Sequence, residues 1–226
     1  MLELLSPRKT ERSPYHKRLA EAGVRGGWNY VLDHAWLFEK VDQYVKSHSE
    51  NLLVLDVGCG DSMLHTFLET ELKMGIIGID RMVGLCQLRQ RDHRLDLCID
   101  FAKENQFFKG CADIVFWCSS IEHNTVEEQK GCVAESLKAL KPGGLFLATF
   151  GYAKATHYSE PSEQTNLDAR DAQRVFGVDW VGTTDFDEIV KEYQDNILNL
   201  DERHYRRYKT REYNFIVGAA EIVKPG

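Results

Sequence analysis

The hydrophobic positions of the chain follow two successive patterns. In residues 15–45, apolar and aromatic side chains recur mostly three or four positions apart, which predicts one or two amphipathic helices. From residue 52 to residue 150, short continuous apolar runs alternate with segments of helical period. The predicted strands are 52–57, 76–79, 95–99, 112–117 and 145–150, with helices at 63–72, 83–91 and 126–140. This alternation predicts a doubly wound α/β fold, in which helices cover both faces of a parallel sheet.

The chain beyond residue 150 has a different character. Residues 151–184 are rich in Gly, Thr, Ser, Asp and Asn without a clear period, so we expect a long irregular loop or lid there. Residues 186–200 have a helical pattern, and residues 213–223 read as a late strand. These elements add to the α/β core and do not suggest a second one.

Composition and charge narrow the classes of partner. A length of 226 residues favours one domain, and a net charge of −7 disfavours nucleic acid as a partner. The charged N-terminal residues do not fit a signal peptide, and no apolar run approaches the ~18 residues of a membrane span. We therefore expect a cytoplasmic protein without a membrane partner. The six cysteines show no zinc-type spacing, so we expect no metal site.

A glycine-rich turn after the first predicted strand is the main candidate binding element. The side-chain-free backbone of Gly58 and Gly60 lets a ligand approach main-chain amides at a helix N-terminus. Asp80 ends the next strand, where a carboxylate can accept hydrogen bonds from a ribose diol; its alternative role is a helix cap. Met63 stands where a dinucleotide fingerprint needs glycine, and the phosphate-binding GxxxxGK[ST] motif is absent, so NAD and nucleoside triphosphates are disfavoured.

The ordered segments DVGCGD, GIDR, CIDF, ADIVFWCSSIEH and LKALKPGGLFLATF resemble the class I S-adenosylmethionine-dependent methyltransferases over residues 50–151. The resemblance implies a Rossmann-like fold with a mostly parallel seven-stranded sheet and a late antiparallel strand. It also implies S-adenosylmethionine as the cofactor. The residues that would bind this cofactor are Asp56, Gly58, Cys59, Gly60, Asp80, Arg81, Asp100, Phe101 and Ser119. One departure is Ser62, where the superfamily often has a third glycine.

The same resemblance divides the chain into regions of one methyltransferase domain, residues 1–226. Residues 1–50 would form an N-terminal helical cap over the cofactor, although core packing is an alternative role for this helix. Residues 51–151 would form the cofactor-binding core. Residues 152–226 would hold the lid or substrate insertion and the C-terminal strands. Tyr30, Tyr152 and His157 are the candidate substrate contacts.

The chemistry of the acceptor rests on one candidate residue. His123, after the fourth predicted strand of the core, is the expected general base, because a histidine near neutrality can take a proton from a hydroxyl. Its alternative role is structural, and a metal site at Glu122 and His123 is disfavoured. We expect O-methylation of a small-molecule or sugar hydroxyl. The alternatives are N-methylation of a small amine or protein side chain, and a non-catalytic cofactor-binding module.

Overall fold

A computed structural model describes residues 1–24, 29–48, 51–60, 63–80, 96–98, 101, 108–160, 163–195 and 198–226. The predicted helix at 83–91 lies outside these ranges. The strands are β1 (Leu2–Leu4), β2 (Val54–Val57), β3 (Ile76–Asp80), β4 (Asp96–Cys98), β5 (Ala112–Trp117), β6 (Leu140–Tyr152), β7 (His157–Ser159), β8 (Gln164–Asn166) and β9 (Ile216–Val223). The helices are α1 (Pro7–Arg12), α2 (Pro14–Glu21), α3 (Tyr30–Ser47), α4 (Met63–Leu72), α5 (Val126–Ala139), α6 (Ala169–Phe176), α7 (Phe186–Gln194) and α8 (Leu200–Tyr208).

Seven of these strands form one sheet in the order β1-β9-β6-β5-β2-β3-β4. β9 pairs antiparallel with both β6 and β1, whereas the pairs from β6 to β4 are parallel. The chain crosses through α4 from β2 to β3 and through α5 from β5 to β6, in opposite directions along the sheet. Right-handed crossovers in opposite directions place their helices on opposite faces. The prediction of a doubly wound, mostly parallel seven-stranded sheet is confirmed.

The centre of the sheet is buried from both sides. All four residues of β2 and all six of β5 are buried, which explains their continuous apolar sequences. β2 and β5 are neighbours, and the chain leaves them towards opposite edges of the sheet. Their carboxyl ends therefore form the switch point at which doubly wound folds bind ligands.

The N-terminal region contains more than the predicted helical cap. Residues 2–4 form β1, which pairs with β9 at one edge of the sheet and buries Leu2 and Leu4. The prediction of a purely helical N-terminal region was wrong at this point. Three residues are too few to show a periodic pattern, and β1 is stabilised by the distant strand β9 instead.

The prediction of an irregular segment at residues 151–184 was also wrong in part. β7 and β8 form an antiparallel hairpin, and α6 follows it. Asp168 caps the N-terminus of α6 by accepting a hydrogen bond from the amide of Asp171, and Gly177 ends it in a left-handed conformation. Of the helix predicted at 186–200, α7 forms residues 186–194, whereas α8 begins at Leu200 and was not predicted. The late strand, predicted at 213–223, begins at Ile216. β7 and β8 have three residues each, which is too few to show a period in the sequence.

Candidate active site

The glycine turn lies at the switch point, directly after β2. Gly58 and Gly60 have φ values of +69° and +45°, in the left-handed region that favours glycine. The Gly58 amide donates a hydrogen bond to the Ile79 carbonyl (2.7 Å), which ties the turn to β3. A Cβ at Gly58 would lie 2.5 Å from the Ser120 Cβ, whereas a Cβ at Gly60 would meet no atom of a described residue within 4 Å. The turn is thus closed on the Ser120 side and open at Gly60.

Asp80 lies at the end of β3 beside this open position. Its Oδ2 accepts a hydrogen bond from the Gly60 amide at 3.0 Å. Asp56 lies below the turn with 2% of its surface exposed, and its Oδ2 is 3.3 Å from His65 Nδ1 on α4. Cys59 is buried as well. The two predicted acids therefore differ in position, with Asp80 beside the open backbone and Asp56 within the protein.

Of the predicted cofactor-binding residues Arg81, Asp100 and Phe101, the structure describes only Phe101. Arg81 and Asp100 lie outside the described residues. Phe101 is 3% exposed, and its ring packs edge-on against Trp117 with centroids 6.1 Å apart. The Phe101 ring thus belongs to the hydrophobic core at this side of the sheet.

Ser119 joins the carboxyl end of β5 to the N-terminal helix α3. Its φ is +46°, and its amide donates to Thr149 Oγ1 on β6 (3.0 Å). The Ser119 hydroxyl donates to Asp33 Oδ2 at 2.6 Å, and Asn29 Nδ2 donates to the same carboxylate oxygen at 3.2 Å. These contacts bring the first turn of α3 to the switch point.

The sequence analysis did not identify Asp33 as a site residue. Asp33 is completely buried, and this burial raises its pKa from the ordinary 3.8 to about 7, although the hydrogen bond from Ser119 opposes the shift. The signal was present in the sequence, since Asp33 lies directly after Leu32 and four positions before Leu37 on the apolar side of a helix. A carboxylate is almost never buried there without a function or a partner.

Glu122 and His123 lie on a short 3₁₀ helix, Ile121–His123, and differ in their exposure. The His123 side chain is exposed, and its Nδ1 lies 2.9 Å from the backbone oxygen of Glu163 in the β7–β8 turn. Because a carbonyl only accepts, Nδ1 carries the proton and Nε2 has the free lone pair. Glu122 is 2% exposed, and burial together with the charge of Asp33 raises its pKa from 4.5 to about 8. The neighbour of the predicted base is thus a second buried acid.

The three predicted substrate residues lie in different environments. Tyr30, at the start of α3, is 37% exposed and stacks on His34. Tyr152 is buried at the end of β6, where its hydroxyl donates to the Thr184 carbonyl (2.7 Å). His157 lies on β7 and lines a cavity of about 520 Å³ whose other walls come from residues 153–155, α7 and residues 211–214. Tyr30 lies near Asp33 and Glu122, whose charges act on it. Tyr152 and His157 lie in separate environments.

Metal-binding side chains are not grouped in the described part of the chain. Among these residues, no three His, Cys, Asp or Glu side chains are arranged to hold a metal ion. A helix long and apolar enough to cross a membrane is likewise not found in the described ranges.

Comparison with known proteins connects this geometry to one family. Residues 55–148 match the family described as "Methyltransferase domain". These residues run from β2 into β6 and include the glycine turn, Asp80, Ser119 and His123. No curated protein has a sequence that matches the chain.

Several solved structures have a similar fold at low sequence identity. Phosphoethanolamine N-methyltransferase 2 of Haemonchus contortus, in complex with S-adenosyl-L-methionine, is 17% identical over 84% of this chain (TM-score 0.59). This chain spans about half of that protein, 52% of its length. Geranyl diphosphate C-methyltransferase of Streptomyces coelicolor A3(2) is 15% identical over 82% of this chain and 80% of its own (TM-score 0.51). The [4+2]-cyclase SpnF is 17% identical over 89% and 84%, respectively (TM-score 0.60). At these identities the likeness concerns the fold.

Proposed function

Because the chain carries a methyltransferase domain of the class I S-adenosylmethionine-dependent superfamily, we propose that it transfers a methyl group to a hydroxyl of a small molecule or sugar. The observation that carries the proposal is the open backbone at Gly60 with the Asp80 carboxylate beside it, at the switch point of the sheet. Main-chain amides and a carboxylate at this place fit the polar groups of a nucleoside. The cofactor is S-adenosylmethionine, as in the superfamily.

In this proposal the cofactor-binding residues surround the glycine turn. Gly58, Cys59 and Gly60 present their backbone to the amino-acid part of the cofactor, and Asp80 binds the ribose hydroxyls. Asp56 stabilises the turn from below through its contact with His65. Ser119 closes the cofactor edge after β5. Arg81, Asp100 and Phe101 remain candidates from the sequence resemblance alone.

The bound cofactor supplies a methyl group that is already activated by a positively charged sulfur. The protein then has to hold the acceptor in line with this methyl group, exclude water and remove the acceptor proton. Tyr30 borders the place where the acceptor would lie. His123 Nε2 has the free lone pair that would take the hydroxyl proton as the bond from oxygen to the methyl carbon forms. The hydrogen bond from Nδ1 to the Glu163 carbonyl fixes the ring for this role.

An amine acceptor is the second candidate. The buried carboxyl group of Asp33 accepts a hydrogen bond from Ser119 and acts electrostatically on the buried Glu122, and such groups favour a basic ligand. The family and the fold do not decide between the two acceptors, since one fold supports many reactions. The N- and C-methyltransferases and the cyclase with this fold illustrate that range.

Titration calorimetry with S-adenosylmethionine tests the proposed cofactor, and formation of S-adenosylhomocysteine with a panel of small alcohols, sugars and amines tests the reaction. Replacement of His123 by Ala separates the acceptors. We expect kcat to fall by about 10² to 10⁴ for a hydroxyl acceptor and to change little for a neutral amine. His48→Ala is a matched control, because His48 is exposed at the far end of α3. A protein that does not bind S-adenosylmethionine would refute the proposal.

A further inference from the structure

Two buried carboxyl groups next to the switch point have no role in the mechanism above. Asp33 belongs to α3 and Glu122 to the 3₁₀ helix after β5. We propose that Asp33 and Glu122 together bind a protonated amino group of the acceptor molecule, beside the position where its methylated atom lies. This inference rests on the proposed function, and it narrows the substrate class to small molecules that carry an ammonium group.

Each of these carboxyl groups uses one oxygen and leaves the other without a partner. Asp33 Oδ2 accepts hydrogen bonds from Ser119 and Asn29, whereas Asp33 Oδ1 is buried and makes no hydrogen bond with a described residue. Glu122 Oε1 lies 3.5 Å from Gln164 Nε2, and Glu122 Oε2 is buried without a partner in the same sense. Buried acceptors are nearly always satisfied, so two such oxygens indicate a missing hydrogen-bond donor.

The described donors around these carboxyl groups face the oxygens that already have partners, Asp33 Oδ2 and Glu122 Oε1. Gln164 Oε1 on β8 is a third buried oxygen that is left without a partner among the described residues. The other polar atom of this amide, Gln164 Nε2, donates to Glu122 Oε1. A ligand group that fits here must therefore donate several hydrogen bonds. An ammonium group has three hydrogen-bond donors and no acceptor, so it fits these oxygens. An ionised carboxylate or phosphate group only accepts hydrogen bonds and does not fit.

The electrostatic environment of Asp33 and Glu122 favours a bound cation. Burial is the largest cause of the raised pKa values of Glu122, Tyr30 and Cys118. The charge of Asp33 raises all three pKa values further, and the charge of Glu122 adds to the shifts of Tyr30 and Cys118. In the described part of the chain, no Lys, Arg or His nitrogen lies within 4.0 Å of either carboxyl group. Arg207 on α8 acts on Tyr30, where it opposes the effect of the acids. The cluster therefore attracts positive charge.

Other titratable groups near the cluster do not supply that charge. Burial lowers the pKa of His34 on α3 to about 4, so it is neutral at pH 7. The His123 side chain is exposed, unlike the buried Glu122 side chain, and its Nδ1 contacts the backbone oxygen of Glu163. Asp56 on β2 adds a further negative charge that acts on Cys118. Tyr30, partly exposed and stacked on His34, places an aromatic ring near the acids, which is a favourable surface for an ammonium group.

This arrangement predicts that an amine displaces a proton when it binds. With pKa values of about 7 and about 8, Asp33 and Glu122 carry protons near neutral pH in the free protein. A cation beside them favours the ionised carboxylates and lowers both pKa values. Binding of an amine at pH 7.5 should therefore release about one proton, whereas a neutral polyol should release none.

The experiment uses calorimetry on the protein loaded with S-adenosylhomocysteine, in two buffers that differ in ionisation enthalpy. The probes are matched pairs of one amine and one alcohol with the same skeleton. They are 2-aminoethanol with ethane-1,2-diol, cyclohexylamine with cyclohexanol, and glucosamine with glucose. We expect the amine of at least one pair to bind at least tenfold more tightly than its alcohol and to release a proton. Glu122→Gln and Asp33→Asn should each remove most of this preference.

Glu21→Gln is the matched control, because the Glu21 side chain is exposed at the end of α2 and has no part in the proposed binding or chemistry. This variant should keep both the preference and the proton release. The inference is overturned if alcohols bind as well as amines, if no probe binds, or if Glu122→Gln and Asp33→Asn keep the preference. Binding of S-adenosylhomocysteine itself is measured first in every variant. Its loss in the native protein would refute the proposed function, whereas its retention without amine preference would refute only this inference.

Discussion

Alanine substitutions of the two glycines in the turn after β2 should differ in their main effect. Gly58→Ala should mainly lower stability, and Gly60→Ala should mainly weaken cofactor binding. Both residues have a positive φ, so alanine at either position costs about 1 to 2 kcal/mol of backbone strain. At Gly58 the new methyl group would also lie 2.5 Å from the Ser120 Cβ and 2.7 Å from its Oγ. Overpacking of this kind costs about 1 to 3 kcal/mol more. At Gly60 the methyl group meets no atom within 4 Å in the part of the chain that the structure describes.

We therefore expect Gly58→Ala to lose about 2 to 5 kcal/mol of unfolding free energy and Gly60→Ala about 1 to 2 kcal/mol. In a protein of this size, these losses correspond to melting temperatures lowered by roughly 4 to 20 °C and 2 to 8 °C. Gly60→Ala should nevertheless weaken S-adenosylmethionine binding by about tenfold or more, because its methyl group fills the open side of the turn. Thermal unfolding and titration calorimetry measure the two effects.

The double variant Gly58→Ala/Ser120→Gly separates the steric overlap from the backbone strain. Removal of the Ser120 side chain eliminates both short contacts, although it also removes the hydrogen bond from Ser120 Oγ to the Val57 carbonyl. We expect the double variant to be more stable than the sum of the single losses by about 1 to 3 kcal/mol. The steric overlap with Ser120 would be refuted if the losses of unfolding free energy were additive in the double variant. Equal melting temperatures for Gly58→Ala and Gly60→Ala would refute it as well.

Three further predictions concern other parts of the molecule. Asp80→Ala should weaken S-adenosylmethionine binding by about 1.5 to 3 kcal/mol in calorimetry, because it removes a charged acceptor and the support of the Gly60 amide; unchanged affinity would exclude the ribose role. The raised pKa values of Asp33 and Glu122 mean that the folded state binds more protons than the unfolded state, so stability should fall as the pH rises from about 4 through about 7 and 8. Asp33→Asn and Glu122→Gln should each reduce this fall in unfolding free energy by on the order of 3 kcal/mol, measured by urea unfolding at several pH values. If both variants keep the pH dependence of the unsubstituted protein, the prediction is wrong. Leu2→Ala should destabilise the protein by about 2 to 5 kcal/mol, because Leu2 is fully buried; a loss below ~1 kcal/mol would show that β1 contributes little.

The central sheet could be predicted because its signals are local. β5 was predicted with its observed bounds, and so was α4. Each has a continuous or periodic apolar pattern that does not depend on the rest of the chain. β1 and the β7–β8 hairpin have only three residues per strand, so their formation depends on the surfaces that receive them. No local pattern encodes those surfaces.

The candidate site shows the same division. Gly58, Gly60 and Asp80 lie close together in sequence, and their spacing was sufficient to place them at one sheet edge. The contact between Ser119 and Asp33 joins residues 86 positions apart, and it exists only because α3 docks on the loop after β5. The burial of Asp33 and its raised pKa follow from that docking. A sequence pattern can suggest such a residue but cannot supply its environment.

The pairing of β1 with β9 has a consequence for how the protein acquires its structure. During synthesis, residues 2–4 leave the ribosome long before β9, the strand that receives them, which ends at residue 223. Leu2 and Leu4 must therefore wait as exposed apolar side chains until nearly all of the chain shown here has been made. The last step of assembly then brings Met1 and Glu221 together, with the Glu221 amide donating to the Met1 carbonyl at 2.9 Å. Extensions fused directly before Met1 would meet this seam, so they should slow folding more than extensions placed after Gly226.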